Sequence, residues 1–213
     1  MATKSQMERR TVELTELRLM EVNAEENENT AVPVIEGHAA VFNQWSEELG
    51  GMFAFKEKVV QGAFSDSIQT DDIRALFNHD PNYVLGRNKA GTLELKETQK
   101  GLLVRITPPD TQWARDLTVS IDRGDISQMS FGFLVLEDRW GHEDGMDVRE
   151  LHKVKLFDVS PVTFPAYTQT SVGVRSADDV YEARKTQLEN NNEADKSKNI
   201  KQLEILKQKF NLI

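Results

Sequence analysis

The chain has 213 residues, no cysteine and a formal net charge of -9, with 29% charged residues and a mean hydropathy of -0.52. The missing cysteine excludes disulfides, a thiolate nucleophile and cysteine-ligated zinc, so any nucleophile is an oxygen or a nitrogen. The acidic balance argues against nucleic-acid binding and against docking on an anionic membrane, no run approaches the ~20 apolar residues of a membrane span, and the polar start lacks the apolar core of a secretory signal.

A hydrophobic share of 38% is enough for one core of ordinary size. The polar residues are expected to gather in an N-terminal extension at 1–30 and a charged tail at 176–213, around a domain at 31–175. In the first extension Val12, Leu14, Leu17 and Leu19 carry some strand alternation, and 23–30 is an acidic, asparagine-rich loop. Residues 32–42 read as a strand entering the core, 43–51 as a turn-rich loop, and 53–60 as a further strand. Residues 62–68 suggest one or two helical turns. A short buried strand at 73–77 runs at once into Asn78-His79-Asp80-Pro81, where Asp80, preceding a proline, is expected to be non-helical. His79 therefore sits where a strand gives way to a loop, a common position for functional groups.

Residues 83–87, 92–98 and 102–107 read as successive strands with turns at Gly91 and Gly101. Pro108-Pro109-Asp110-Thr111 breaks them and offers an N-cap. Trp113, Leu117 and Ile121 follow at helical spacing, with Gly124 as the C-terminal stop. A strand beginning near Gln128 comes next, then a hairpin loop at 141–145 and a returning strand at 148–159. Residues 178–189 and 199–210 are charged and helical in pattern. Ile200, Leu203, Leu206 and Phe210 make one apolar stripe, which suits either a partner surface, another copy, or a frayed, solvated tail. Many strands with one clear helix predict a β-rich α+β fold: a single closed or curled β-barrel surrounded by a few helices, with a helical C-terminal tail.

Around Ser130, the residues Met129, Phe131, Phe133 and Val135 alternate with Ser130, Gly132, Leu134 and Leu136, the period of a strand. The serine and Gly132 share a face, and the glycine leaves open space beside the hydroxyl. The plain reading is a strand serine bonded to backbone; the other is a nucleophile. A serine nucleophile needs a base, usually histidine, and a third group that fixes the imidazole tautomer. Of the four histidines, His38 lies in an apolar strand, His142 at a hairpin tip, and His152 on the returning strand facing either the site or water. His79 is placed at the strand–loop junction. Alternation puts Glu150, His152, Val154, Leu156 and Asp158 on one face of the returning strand. Asp158, flanked by apolar neighbours, needs a partner, which an imidazole, backbone or a lysine would supply. No HExxH helix, phosphate-binding glycine loop or dinucleotide fingerprint is present, and no cofactor or metal is indicated.

In this order the blocks resemble the prohead (procapsid maturation) serine proteases of tailed bacteriophages, over about residues 32–170. The matching blocks begin with Gly37-His38-Ala39-Ala40-Val41-Phe42-Asn43, Val60-Gln61-Gly62-Ala63-Phe64 and Phe77-Asn78-His79-Asp80. Leu85-Gly86-Arg87, Gly91-Thr92-Leu93, Gly101-Leu102 and Ile121-Asp122-Arg123-Gly124 follow. Met129-Ser130-Phe131-Gly132-Phe133 and Leu156-Phe157-Asp158-Val159-Ser160-Pro161-Val162-Thr163-Phe164-Pro165-Ala166 complete the set. The resemblance implies Ser130 as nucleophile, His79 as general base and Asp158 as third member. It also implies a fold similar to the herpesvirus assemblin proteases. Because those relatives use a second histidine in the third place, His152 and Glu150 stay open for it. No sequence feature identifies the oxyanion donors; backbone N–H groups near Pro161–Thr163 are the candidates considered. The implied role is a serine endopeptidase without cofactor, acting in the host cytoplasm inside the prohead. Its implied substrates are scaffold protein or the capsid protein's scaffolding segment, and finally itself; its implied state is a homo-oligomer. A non-catalytic assembly or scaffold component retaining the fold is the alternative, and a small-substrate esterase or amidase a third.

Overall fold

The computed structural model describes residues 7–12, 16–23, 31–50, 54–164, 179–186 and 189. In chain order its elements are β1 (Glu8–Val12), β2 (Arg18–Asn23), β3 (Ala31–Val41), β4 (Phe55–Val59), α1 (Ser65–Thr70), β5 (Arg74–Phe77), β6 (Asp80–Arg87), β7 (Leu93–Glu97), β8 (Gly101–Ile106), α2 (Gln112–Asp122), β9 (Gln128–Glu143) and β10 (Met146–Val162). The apolar stripe from Ile200 to Phe210 and the end of the closing block, Pro165 and Ala166, lie outside the described residues.

The hairpin β9–β10 is the spine. Its strands have 16 and 17 residues, longer than the alternation suggests, because the turn is confined to Asp144 and Gly145. Both have positive φ, 50° and 83°, the conformation of a two-residue hairpin turn whose twist matches the flanking strands. β10 pairs β9 along one edge, while the other edge is shared in parallel by β4, at Asp147–Leu151, and by β5, at Asp158 and Val159. β6 extends this sheet beyond β5 and β1 extends it beyond β9. The second sheet runs β2-β3-β8-β7.

The barrel expected from the sequence is not formed. The strand content and the few helices are β-rich, but the six-stranded and four-stranded sheets both stay open among the described residues. The first sheet branches, with β4 and β5 dividing one edge of β10 between them, and its end strands β1 and β6 do not pair with each other among the described residues. Among the described residues the two sheets touch in strand pairing only at the parallel bridge Phe42–Val59. They are joined instead by a common core to which Ile35, Leu102, Val104 and Ile106 come from one sheet and Phe131, Phe133, Leu156 and Val159 from the other. Phe131 stacks on Phe133 at 4.8 Å between centroids and meets Phe64 edge-on at 5.5 Å. Each such side chain, fully buried, contributes about 1.5–3 kcal/mol.

α2 buries Ala114, Leu117 and Ile121, with Trp113 packed against the core, and stops at Gly124, whose φ of 78° only glycine adopts freely. The N-terminal region, where the sequence predicts one short strand with a loose surround, supplies an edge strand to each sheet, β1 and β2. In the tail, residues 179–186 are helical, and Val180 packs with Phe55, Trp140 and Tyr181.

Candidate active site

Ser130 sits in the stretch of β9 where Met129, Phe131 and Phe133 face the core. The alternation turns Ser130 and Gly132 to the opposite face. That face is covered too: Ser130 is 0% exposed. β10 brings Ser160 opposite Ser130 and Asp158 opposite Gly132.

His79 is carried by the turn between β5 and β6. Asn78 and His79 both adopt left-handed backbone, φ 53° and 57°, a conformation uncommon for residues other than glycine, though Asn and His tolerate it better than most. The turn is clipped to the end of β10. The Asn78 N–H donates to the Pro161 carbonyl at 3.0 Å, and the Thr163 N–H donates to Asn78 Oδ1 at 2.9 Å. Asn78 Nδ2 donates in turn to Thr163 Oγ1 at 3.2 Å. Held this way, the imidazole bridges the two strands. Its Nε2 is 2.7 Å from Ser130 Oγ and its Nδ1 is 2.5 Å from Asp158 Oδ1.

Asp158 reaches this position because β10 is irregular. The register shifts between Leu156, opposite Phe133, and Asp158, opposite Gly132. One extra residue, Phe157, therefore separates two positions that oppose consecutive residues of β9, which face opposite ways. Strict alternation keeps Asp158 on the core face with Leu156; the bulge turns it to the serine. The space beside Gly132, read from the sequence as open, holds the Asp158 carboxylate: a Cβ built on Gly132 would collide with Asp158 Oδ2. Ser160, which the sequence reading did not single out, donates to Asp158 Oδ1 at 2.8 Å and lies 3.4 Å from His79 Nδ1. The signal was its spacing two residues after Asp158 on the same strand face.

The hydrogen-bond geometry sets the proton positions. With Asp158 ionised, Nδ1 carries a proton toward the carboxylate and leaves Nε2 as an acceptor for the Ser130 hydroxyl, the tautomer this pattern assigns. The serine has a single proton and a second acceptor, the main-chain carbonyl of Arg10 on β1, 2.8 Å from Oγ. The two acceptors compete for it.

The other candidates lie elsewhere. His152 falls at a second irregularity of β10 and binds Glu150 at 3.0 Å, while Glu150 also pairs with Lys58 at 2.8 Å. His38 is buried on β3, which lowers its pKa, and its Nδ1 has no hydrogen-bond partner. His142 is exposed on the hairpin and bonds Asp147 at 2.9 Å. Of the backbone donors considered for an oxyanion, the Thr163 N–H is already committed to Asn78.

Across β9 from the triad-like cluster lies a group of buried charges. Arg149 donates to Glu57 at 2.9 Å, to Glu8 at 3.0 Å and to Asp138 at 2.7 Å. Arg10 donates to Glu57 at 2.7 Å and to Glu8 at 2.8 Å. Burial disfavours both guanidinium charges, but Glu57 and Glu8 more than offset it, so both pKa values are raised above the ordinary arginine value.

The family described as caudovirus prohead serine protease matches residues 6–201. The prohead protease of Enterobacteria phage HK97 is 28% identical over 151 residues, which cover 68% of this chain and 61% of that protein. The chain thus spans less than two thirds of that relative's length. Among solved structures, the bacteriophage T4 capsid assembly protease is similar, with a TM-score of 0.50 and 11% identity, over 76% of this chain and 100% of that one. That likeness is one of fold.

Proposed function

The chain belongs to the caudovirus prohead serine protease family, and on that premise we propose that it is the serine endopeptidase of phage capsid maturation. It acts inside the prohead in the host cell, on scaffold protein or on the scaffolding segment of the capsid protein, and on itself. The observation that carries this reading is the continuous relay Ser130–His79–Asp158, with contacts of 2.7 and 2.5 Å. Residues 31–175 form the protease domain in this reading, with β1 and β2 completing its sheets.

His79 Nε2 takes the Ser130 proton as Oγ adds to a peptide carbonyl carbon. Asp158 holds the Nδ1–H tautomer and stabilises the imidazolium that forms. The C–N bond then breaks, the imidazolium gives its proton to the leaving amine, and water hydrolyses the acyl-enzyme. Ser160 keeps the carboxylate aimed at Nδ1 through its own hydrogen bond.

Intact mass tests this. Wild type and Ser130→Ala are each co-expressed with the capsid protein so that proheads assemble. Only wild type is expected to shed fragments and trim the shell protein. Full-length chains in assembled proheads of both would sink the protease reading and leave an assembly component in its place.

A further inference from the structure

β1 is held along β9 as a peptide substrate would be. Among the described residues it is an edge strand that pairs only with β9, antiparallel and in register from Glu8 opposite Phe133 to Val12 opposite Met129. Its Arg10 carbonyl oxygen is 2.8 Å from the Ser130 hydroxyl. An exposed strand edge is the usual docking line for an extended peptide, with main-chain bonds giving affinity and side-chain pockets giving selection.

The pocket is occupied. The register sets Arg10 opposite Phe131, on the face away from Ser130, where its guanidinium lies 5.6 Å from the Phe133 ring centroid. Two of its nitrogens meet Glu57, at 2.7 and 3.2 Å, in the paired geometry that favours arginine over lysine. Glu57 is 4% exposed, belongs to β4 rather than to the strand it holds, and is braced by Arg149 at 2.9 Å. Two residues before Arg10, on the same face, Glu8 meets Arg149 at 3.0 Å. In contrast, Arg9 points to the other face and its Nε is buried with no hydrogen-bond partner. The strand is thus held through its alternate side chains Glu8 and Arg10.

We propose, resting on the protease reading above, that β1 stands in for the substrate: a peptide displaces it and pairs with the same edge of β9, and Glu57 selects a basic residue, arginine above lysine, at the position Arg10 fills. Arg149 favours an acidic residue two positions earlier. Ser130 Oγ bonds to the carbonyl carbon of the basic residue and the C–N bond to the next residue breaks. The departing amine takes the proton that His79 removed from Ser130, and water splits the ester to leave a carboxylate on the basic residue. While β1 is docked, its carbonyl competes with His79 for the serine proton and its backbone fills the groove.

Two quenched fluorescent peptides, one with Glu-Ala-Arg before the cut and one with Glu-Ala-Gln, are offered to full-length wild type, Glu57→Gln and Ser130→Ala. Wild type is expected to prefer the arginine peptide on the order of 100-fold in kcat/KM, as for a buried charge pair made or left unmade. Glu57→Gln loses that preference, and Ser130→Ala cuts neither. A second arm does not depend on Glu57→Gln folding. Arg10→Ala loosens β1, so a small fluorophosphonate labels Ser130 on the order of tenfold faster than in wild type. Equal labelling rates, or a wild type that cuts the glutamine peptide as fast as the arginine peptide, overturn the inference while Ser130-dependent reaction keeps the protease reading standing. If Ser130 neither labels nor cuts in any variant, the protease reading falls and the inference with it.

Discussion

The Asp158 carboxylate rests against Gly132, in the volume that any side chain at that position would occupy, and from this seat it bonds His79. The glycine is thus a feature of the carboxylate's placement and not of the serine's backbone. Gly132→Ala is expected to push Asp158 off its contact and lower the rate of Ser130 phosphonylation by about 100-fold, the usual effect of an ångström-scale misplacement. The fold should survive with a loss of about 1–3 kcal/mol from overpacking. Labelling at the wild-type rate would mean that Asp158 is not needed where it sits.

Asp158→Asn and Ser160→Ala separate the two contacts on that side of the imidazole. The asparagine variant removes the charge that holds the Nδ1–H tautomer and is expected to cost about 10⁴-fold in kcat. The alanine variant removes one hydrogen bond to a group that retains another, and is expected to cost roughly tenfold. Peptide cleavage rates rank them; an equal loss in both would place Ser160 on a par with the carboxylate.

The clip between Asn78 and Thr163 holds His79 in left-handed backbone. Asn78→Gly loses the clip but keeps backbone freedom, whereas Asn78→Ala loses the clip and adds left-handed strain. Thermal unfolding should therefore show alanine to be the worse by about 1–2 kcal/mol. Both variants should slow Ser130 labelling, and equal melting temperatures would show that the turn relaxes out of its positive φ.

Arg149→Met removes the cation shared by Glu8, Glu57 and Asp138. Breaking a buried ion cluster on one side costs about 3–5 kcal/mol, because the remaining carboxylates stay desolvated. Urea unfolding at neutral pH measures it, and a change below 1 kcal/mol, the ~1 kcal/mol ceiling typical of surface pairs, would mean that water enters the cluster.

On the second sheet, burial pushes the Glu36 carboxyl up, but hydrogen bonds from Arg18 and Arg105 more than offset this and leave its pKa below the ordinary value. A carboxyl whose folded pKa is depressed stabilises the fold above its unfolded pKa of ~4.3 and loses that contribution as pH falls through the folded value. Wild type should therefore lose melting temperature on acidification below about pH 4.3 more steeply than Glu36→Gln. Parallel curves for the two proteins would remove Glu36 from the acid limb.

Much of this architecture is written in local pattern. Alternation marks β9 around Ser130, helical spacing at Trp113, Leu117 and Ile121 marks α2, and the strand running into Asn78-His79-Asp80-Pro81 marks the turn that carries the imidazole. The order of the blocks, through the resemblance, points to Ser130, His79 and Asp158, with Glu150 and His152 left open for the third place. Strict alternation, however, puts Asp158 on the wrong face, and only the register shift at Phe157 corrects it. A bulge depends on the partner strand, so no window of β10 alone contains it.

The sequence by itself determined the approximate places of most strands and turns and of α2, though not the full length of β9 and β10, because side-chain period, glycine freedom and proline restriction act over a few residues. Tertiary structure decided how the sheets end and what lies against the serine. The end strands β1 and β6 do not pair with each other, so among the described residues the sheet is open where strand content suggested a barrel. The pairing of residues 8–12 with 129–133 joins segments about 120 positions apart, and with it come the buried charges of Arg10, Glu57 and Arg149. Long-range pairing of that kind follows from complementary edges and buried charge meeting in space, which the period of either segment does not encode.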